Sequence, residues 1–266
     1  MPLDLLVEHF DPGLFFKSNK EVKEWILSNL DLTNLKQNVT KTEIEELLKS
    51  ASGLGFKQVS VPLANIDYAA EIISENGFQI KTVAVVGYPY GNSTTSKAKV
   101  IQAEEACAAG ASTVEININL LSVHGGKEKV EEDIAKAVDV VKSYKRKCGL
   151  IIESRYVAED LLKTVYDSVI GLGVDYLNIS TGTPVFDEEN GDYNGIDSYQ
   201  KIISHLGALT TDKNKLGLKV SSGINDNDSV MEALFYCTKA GWPVENIRFG
   251  SEYGIDIVDN IATTLI

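Results

Sequence analysis

Two hydrophobic patterns alternate along the chain. Short apolar runs are typical of buried parallel strands, whereas apolar residues spaced three and four positions apart are typical of helices packed on one face. Val174–Ile179 shows the first pattern. The second follows Thr40-Lys-Thr-Glu43, where Ile44 and Leu48 belong to an apolar stripe. Thr40 and Glu43 have the spacing of a capping box, which predicts where that helix begins.

The complete pattern predicts eight strands, each followed by a helix, and one helix before the first strand. We expect strands at 30–32, 57–62, 80–87, 112–119, 148–153, 174–179, 215–221 and 247–249. We expect a helix at 21–29 and a second one that begins at the capping box of Thr40 and Glu43. Further helices are expected at 66–76, 96–109, 127–146, 159–172, 196–206, 226–240 and 255–264. Eight right-handed βαβ units with short connections close into a (β/α)8 TIM barrel, so the fold class is α/β with an N-terminal extra helix.

An open, doubly wound sheet is the rival architecture. It is disfavoured because no strand is followed by a Gly-x-Gly-x-x-Gly turn, and because unusual polar residues occur on many strands rather than at one switch point. No Pro/Gly/Ser-rich linker divides the 266 residues, of which 44% are hydrophobic. We therefore expect one domain, 1–266, built around one large core.

Charge and cysteine usage narrow the function classes. The formal net charge of −13 repels polyanions, so nucleic acid and acidic membrane surfaces are not expected partners, whereas a protein with a basic surface is compatible. The N-terminus lacks the features of a signal peptide, and no apolar run is long enough to span a bilayer. Three widely spaced cysteines among apolar neighbours indicate packed thiols in a reducing compartment. We expect a cytoplasmic protein.

Polar residues collect where ligands meet a barrel, at the C-terminal ends of its strands. They are Asp31, Ser60, Glu115, Asn117, Glu153, Asn178, Lys219 and Arg248. Lys219 is the most informative, because a lysine inside an apolar strand needs a carboxylate nearby to offset its desolvation. Spacing alone leaves two interpretations open for Lys219. It is either a structural ion-pair partner or a nucleophilic amine for Schiff-base chemistry.

Six motifs in a fixed order give the chain a specific resemblance. They are Gly87-Tyr-Pro-Tyr-Gly-Asn92, Ala109-Gly-Ala-Ser-Thr-Val-Glu-Ile-Asn117, Leu150-Ile-Ile-Glu153, Ser180-Thr-Gly182, Gly217-Leu-Lys219 and Arg248-Phe-Gly250. Together they resemble the deoxyribose-phosphate aldolase family from about residue 30 onward. The resemblance implies a (β/α)8 barrel and a class I aldolase, without metal or other cofactor. That family cleaves 2-deoxyribose 5-phosphate to acetaldehyde and glyceraldehyde 3-phosphate through a lysine Schiff base.

The match breaks at the residues that carry this chemistry. The family's Schiff-base lysine lies two residues before Ser-Thr-Gly, where this chain has Asn178. The acid/base aspartate of the fourth strand falls at Glu115, one methylene longer, whereas the second lysine is retained as Lys219 and the first-strand aspartate as Asp31. Asparagine cannot form an imine. With Glu115 close, Lys219 should stay protonated, since even an unperturbed lysine of pKa about 10.4 offers well under one free amine per thousand at pH 7.

The phosphate end of the implied pocket is also altered. Its positions in this chain are Gly182, Thr183, Ser222, Gly223, Gly250, Ser251 and Glu252. Thr183 replaces a lysine, and Ser222 replaces one of two paired glycines. Glu252 is expected to place a carboxylate where the phosphate dianion would lie, with a repulsion of several kcal/mol, to order of magnitude, if it is poorly solvated. A small phosphorylated sugar should bind weakly if at all.

These changes favour a catalytically inactive aldolase-like protein, a pseudoenzyme that acts through protein–protein contacts. Two alternatives stay open. One is a residual 2-deoxyribose-5-phosphate aldolase in which Lys219 forms the imine, and the other is a small-ligand sensor that uses the old pocket. The acidic loop 187–192 could dock a basic partner. Barrels of the resembled family often self-associate, so an oligomer is compatible with the sequence. His9, His124 and His205 lack metal-ligand spacing.

Overall fold

In a computed structural model of the chain, eight parallel strands form a closed barrel. The structure describes residues 13, 15–183, 186–187, 191–192 and 200–261. The barrel strands, numbered β1 to β8, are Leu30–Thr33, Gln58–Ser60, Lys81–Val86, Thr113–Asn117, Lys147–Ile151, Tyr176–Asn178, Gly217–Val220 and Ile247–Ser251. Each strand pairs in parallel with the next, and β8 pairs with β1 through Asp31 and Gly250, which closes the barrel.

Helices surround the barrel and follow its strands. In chain order α1 to α10 are Asn19–Asn29, Lys41–Leu54, Ile66–Asn76, Ser96–Ala108, Leu120–His124, Lys127–Ser143, Leu162–Leu172, Gln200–Leu209, Asn227–Lys239 and Gly254–Asn260. The predicted (β/α)8 TIM barrel with an extra N-terminal helix is confirmed: α1 precedes β1, and the strands and helices alternate as expected.

The helix boundaries follow from capping chemistry. The capping box predicted at Thr40 and Glu43 is present in both directions and opens α2. Gly77 ends α3 with a φ of 64°, a left-handed conformation that glycine adopts without a steric penalty. Ile44 and Leu48 are fully buried, so the apolar stripe of α2 faces the barrel as its spacing predicted.

Several predicted bounds were too long or too short. Strand β5 ends at Ile151, and Glu153 lies beyond it as the residue preceding a short 3-10 helix, Ser154–Tyr156. Helix α7 begins at Leu162 because a separate 3-10 turn occupies Glu159–Leu161. The sequence pattern also missed α5 and a two-stranded hairpin of Phe186–Asp187 and Gly191–Asp192. Single turns and two-residue strands are too short to show a hydrophobic period.

The interior of the barrel is set by strand alternation. Side chains two residues apart on a strand share a face, so Tyr176 and Asn178 point into the barrel while Leu177 joins the layer under the helices. The three thiols at 107, 148 and 237 are buried and free, as predicted. Burial raises the pKa of the Cys148 thiol to about 12, so it is an inert packing group. Among the described residues, no helix has the length and apolar character needed to cross a membrane.

Candidate functional site

A cavity of about 580 Å³ opens at the C-terminal ends of the barrel strands. This is where a (β/α)8 barrel carries its ligand site. The cavity is lined by ten of the eleven positions that the sequence proposed: Glu115, Asn178, Gly182, Thr183, Lys219, Ser222, Gly223, Gly250, Ser251 and Glu252. The eleventh, Asp31, lies buried behind them in direct contact with Lys219. The structure thus brings the predicted residues together in one place.

Lys219 lies between two carboxylates inside the barrel. Its Nζ is 2.6 Å from Asp31 Oδ2 on β1 and 2.6 Å from Glu115 Oε1 on β4. All three side chains are almost completely buried. The requirement that Lys219 have a carboxylate nearby is therefore met twice. A lysine held by two acceptors at this distance is a charge-assisted hydrogen-bond donor on both sides.

The two carboxylates decide the protonation of Lys219. Burial on its own disfavours the ammonium, but the charges of Asp31 and Glu115 outweigh it and hold the pKa of Lys219 above its ordinary value of 10.5. The pKa of Asp31 is held below its ordinary value in spite of burial, because Lys219 and Arg248 both stabilise its carboxylate. Lys219 is thus an ammonium at neutral pH, and an ammonium has no lone pair with which to attack a carbonyl.

Arg248 and Tyr176 complete the network. Arg248 Nη2 donates to Asp31 Oδ1 at 2.7 Å, and its guanidinium lies 5.7 Å from the centre of the Tyr176 ring. The Tyr176 hydroxyl donates to Glu115 Oε1 at 2.7 Å. The buried Lys219 ammonium and the partly buried Arg248 guanidinium are therefore balanced by two buried carboxylates. Such a balanced, hydrogen-bonded set avoids the large desolvation cost of an isolated buried charge.

Asn178 points its amide at the same carboxylate. Its Nδ2 donates to Glu115 Oε2 at 3.1 Å, and its Oδ1 accepts from the Ser180 N–H at 3.3 Å. Asn178 is 1% exposed, so these bonds satisfy an amide that would otherwise be unpaired in the interior. Glu115 consequently accepts from three side chains at once. The site can hold a charge network and present hydrogen-bond donors, but Asn178 carries no nucleophile.

Tyr176 is a site residue that the sequence interpretation assigned to the apolar core. Two glycines on neighbouring strands make room for its ring: a Cβ on Gly149 would lie 2.5 Å from the ring, and a Cβ on Gly217 would lie 3.1 Å from Tyr176 Cβ. The sequence did contain a signal for Tyr176. Tyr176 lies two positions before Asn178, and strand alternation places both side chains on one face.

The loops after β6 and β7 line the far end of the cavity. Gly182 and Gly223 have φ angles of 75° and 72°, and a Cβ on Gly182 would come 2.4 Å from the Ser221 carbonyl oxygen. This close approach requires glycine. Thr183, where the resemblance implied a lysine, accepts a hydrogen bond from Thr181 Oγ1 at 3.0 Å and donates one to the Tyr88 hydroxyl at 3.4 Å. This part of the cavity offers hydroxyls rather than a cation.

The loop after β8 is tied back to the protein. The Ser251 hydroxyl donates to the Ile224 carbonyl oxygen and accepts from the Tyr253 N–H at 2.9 Å. Glu252 lines the mouth, where its Oε2 is 2.9 Å from Lys36 Nζ. Glu252 therefore has a counterion that the sequence interpretation did not include. The ion pair raises the pKa of Lys36 and reduces the repulsion expected at this end. Lys36 lies in a loop without a hydrophobic period, so no sequence signal placed it at the cavity.

The other polar residues at strand ends have structural partners. The Ser60 hydroxyl donates to the Val83 carbonyl oxygen at 3.4 Å, and Asn117 Nδ2 donates to the Pro89 carbonyl oxygen at 3.0 Å. Asn117 thereby holds the loop that carries Tyr88 and Tyr90, both of which line the cavity. Glu153 does not join the Lys219 network and accepts instead from the Thr181 N–H at 2.6 Å.

The remaining predictions concern the acidic loop, the histidines and the last helix. Residues 188–190 of the acidic loop 187–192 lie outside the described residues, as do His9, residues 196–199 of the predicted helix 196–206 and residues 262–264 of the last predicted helix. His205 Nδ1 lies 3.0 Å from a surface carboxylate, Glu159 Oε1. Within the described part of the chain, no group of three or more His, Cys, Asp or Glu side chains is placed to hold a metal ion.

Comparison with known proteins finds aldolases. No family model matches the chain. A protein named deoxyribose-phosphate aldolase 2, from Staphylococcus aureus strain MRSA252, is 31% identical over 154 residues, which cover 58% of this chain and 68% of that protein. The deoxyribose-phosphate aldolase of Caldicellulosiruptor saccharolyticus is 28% identical over 238 residues, which cover 89% of this chain and 98% of that protein.

Solved structures share the fold. A structure described as the unique tetrameric structure of deoxyribose phosphate aldolase from Aeropyrum pernix has a TM-score of 0.74 at 20% identity, and the match covers 98% of this chain and 97% of that one. A structure described as QR15, an aldolase, has a TM-score of 0.72 at 24% identity, and the match covers 87% of this chain and 93% of that one.

Proposed function

The chain belongs to the deoxyribose-phosphate aldolase family, and we propose that it is a member that has lost imine chemistry and acts as a pseudoenzyme. Family membership brings an expected reaction, in which a lysine amine attacks an aldehyde to form a Schiff base. The resemblance assigns the reacting lysine to the position of Asn178, whose amide nitrogen is not nucleophilic. The barrel and its cavity persist in the absence of that amine.

One observation carries the proposal. Lys219, which lies directly beside Asn178 in the β6–β7 register, is held by Asp31 and Glu115 at 2.6 Å each. An active imine lysine needs a lowered pKa, as burial or a neighbouring ammonium would give, whereas two carboxylates have the opposite effect. The alternative in which Lys219 replaces the missing amine is therefore disfavoured. No described contact supports it.

The weakened phosphate end supports the same proposal. Thr183 offers only a hydroxyl, which is hydrogen-bonded to the Thr181 hydroxyl. Lys36, the cation at the mouth, forms an ion pair with Glu252. A phosphate dianion would have to compete with Glu252 for Lys36. We therefore expect 2-deoxyribose 5-phosphate to bind weakly. The pocket could still hold an uncharged small ligand, as a sensor would, because its lining is rich in hydroxyls and amides.

We propose that the protein acts through contacts with other proteins in the cytoplasm. The support is the formal net charge of −13, which favours association with a basic surface. Self-association is part of the same proposal, since the Aeropyrum pernix relative is described as a tetramer. Sedimentation of the purified chain at several concentrations tests that part, and a monomer throughout would contradict it.

A turnover assay tests the loss of activity. Purified protein is incubated with 2-deoxyribose 5-phosphate, and acetaldehyde release is followed in parallel with the Staphylococcus aureus relative. We expect no release above that of a Lys219→Met variant prepared in the same way, because neither protein has an available amine. Turnover by the wild-type chain that disappears in Lys219→Met would overturn the proposal in favour of a residual aldolase.

A further inference from the structure

A second cavity of about 370 Å³ lies next to the first and outside the Lys219 network. Tyr90, Thr181 and Thr183 line both cavities, and Glu153 and Tyr156 line only the second. We propose that this second cavity binds an organic cation, an ammonium or guanidinium group on a short apolar stem. Neither Asn178 nor Lys219 lines it, so the inference does not depend on the proposed loss of imine chemistry.

Glu153 lines this cavity, and its carboxylate forms no ion pair with a cation among the described residues. It is 9% exposed, and within the described residues its one hydrogen bond comes from the Thr181 N–H at 2.6 Å. Arg155 acts on Glu153 through its charge but forms no ion pair with it, and burial prevails so that the pKa of Glu153 is raised. A buried carboxylate at a cavity wall, with a perturbed pKa and no ion-pair partner among the described residues, is typical of a binding site.

The backbone at Glu153 supports the same interpretation. Its φ of 40° and ψ of 52° are left-handed, a conformation that a residue with a Cβ rarely adopts. Such strain persists where the surrounding structure over-determines it, and it clusters at functional sites. Here the left-handed turn ends the run from β5 and directs the carboxyl towards Thr181, at the boundary of the two cavities.

The remaining walls fit an apolar stem and a positive group. Ile118 and Leu120 provide apolar surface. Gly91 packs closely against Ile118, the residue after β4, so that a Cβ on Gly91 would lie 2.0 Å from the Ile118 carbonyl oxygen. Tyr90 and Tyr156 are 58% and 50% exposed, the highest values among the described phenylalanine, tyrosine and tryptophan residues. Aromatic faces attract ammonium and guanidinium groups. The strongly negative chain adds a field that concentrates cations.

Two sources share this chemistry. One is a free alkyl amine or guanidine, and the other is a lysine or arginine side chain on the surface of a basic protein. The cavity volume suits one such group and its stem. In the second case the cavity would be the anchor of the protein contact proposed above, and the test therefore includes a probe for each source.

The test is calorimetric titration of the full-length chain with n-butylguanidine and with its uncharged isostere n-butylurea. We expect the guanidinium to bind with a Kd on the order of 1 mM and the urea to bind about tenfold more weakly. Equal affinities, or no heat from either probe, would overturn the proposal, because a site built around Glu153 must distinguish charge.

Variants assign the binding to this cavity. Glu153→Gln keeps an acceptor for the Thr181 N–H and should weaken n-butylguanidine binding about tenfold, while Tyr156→Leu should weaken it about threefold. Glu252→Gln removes the same charge from the first cavity and should change the affinity less than about twofold. An equal loss in both glutamine variants would indicate attraction to overall charge only and would contradict a site at Glu153.

The peptide acetyl-Gly-Arg-Gly-amide separates the two sources. Binding of this peptide more tightly than n-butylguanidine would identify a side chain of a basic protein as the occupant. Weaker binding of the peptide, with n-butylguanidine binding retained, would identify a free amine or guanidine. If Glu153→Gln does not fold, the comparison with n-butylurea and the Tyr156→Leu variant still decide the outcome.

Discussion

Two buried lysines in this molecule have opposite environments. Lys219 lies inside the barrel with two carboxylates at 2.6 Å, and its pKa is raised. Lys99 lies on the buried face of helix α4 with a single carboxylate, Asp133, also at 2.6 Å, and burial lowers its pKa in spite of that partner. The distances are the same, so the number of carboxylates decides the direction of the shift.

Access separates the two lysines as well. Lys99 is fully buried between α4 and α6 and does not line the cavity, so its amine cannot meet a ligand. Asp133 also accepts from Ser96 Oγ at 3.2 Å and from the Asn119 N–H at 2.7 Å, which ties α4 and the start of α5 to α6. The lysine with the lowered pKa is therefore structural, and the lysine at the cavity is held as an ammonium.

The comparison supports the proposed loss of imine chemistry on the family fold. A perturbed pKa indicates function only where geometry gives access to a substrate. Lys219 has the access but not the free amine, and Lys99 has the lowered pKa but not the access. In this barrel no described lysine combines both properties, which fits a protein that keeps its pocket without imine formation.

The largest expected effect comes from removing the Asp133 carboxylate that pairs with Lys99. Asp133→Asn leaves the Lys99 ammonium buried without a counterion, and we expect the free energy of unfolding to fall by about 3–5 kcal/mol. Urea denaturation at pH 7 measures it. Glu132→Gln is the matched control, because Glu132 pairs with Lys129 on the exposed side of α6. A loss no larger than that of the control would break the comparison.

Alkaline pH should reveal the two opposite shifts. Lys99 has a lowered folded pKa, so the unfolded chain binds more protons and stability relative to Lys99→Met rises with pH towards 10.5, by at most about 1.4 kcal/mol per pH unit. Lys219 has a raised folded pKa. Its contribution, measured against Lys219→Met, is therefore complete below 10.5 and is lost only above it. Urea denaturation from pH 7 to 10 distinguishes them, and parallel curves for the two variants would contradict the account.

A smaller effect is expected at the mouth of the cavity. Glu252→Gln frees Lys36 from its ion pair, so inorganic phosphate should bind about fivefold more tightly than to the wild-type chain. Calorimetric titration at low ionic strength measures the change, and the gain should shrink as salt is added. Unchanged phosphate binding would show that Glu252 and Lys36 lie too far from the anion to affect it.

The smallest effect is expected from Asn178→Lys alone. The new ammonium would lie beside Glu115, which already holds Lys219, and Thr183 and Glu252 would remain at the phosphate end. We expect no measurable cleavage of 2-deoxyribose 5-phosphate in the acetaldehyde assay. If this single change restored cleavage, Glu115 and Glu252 would not be barriers, and the argument from the altered phosphate end would be wrong.

Much of the fold could be predicted because it depends on hydrophobic period and local capping. Helix α3 begins and ends at Ile66 and Asn76 as the pattern indicated, since Gly77 supplies an unambiguous stop. The predicted strands β2 to β7 were longer than the observed ones because apolar residues continue past the last ladder hydrogen bond, whereas β1 and β8 were predicted too short. Glu153 shows this best: it follows the apolar residues of β5 but has already turned out of the strand.

The site could be predicted only as a set of positions. Strand ends located Asp31, Glu115, Asn178 and Lys219, and the need for charge compensation predicted an acid beside Lys219. The sequence could not show that Lys219 contacts two carboxylates, nor that Lys36 pairs with Glu252, because all three ion pairs join residues far apart in the chain. The Lys99–Asp133 ion pair was not predicted, because the sequence around each residue is typical of a charged side chain on the exposed face of a helix.

The most direct measurement of the central claim is reductive trapping. The purified chain is incubated with acetaldehyde and sodium borohydride at pH 7, and the digested protein is examined by mass spectrometry. With Asn178 lacking an amine and Lys219 held as an ammonium, we predict no modified peptide containing residue 178 or 219, while the Staphylococcus aureus relative treated in parallel becomes labelled. A reduced ethyl adduct on Lys219 at a level comparable with that relative would contradict the account.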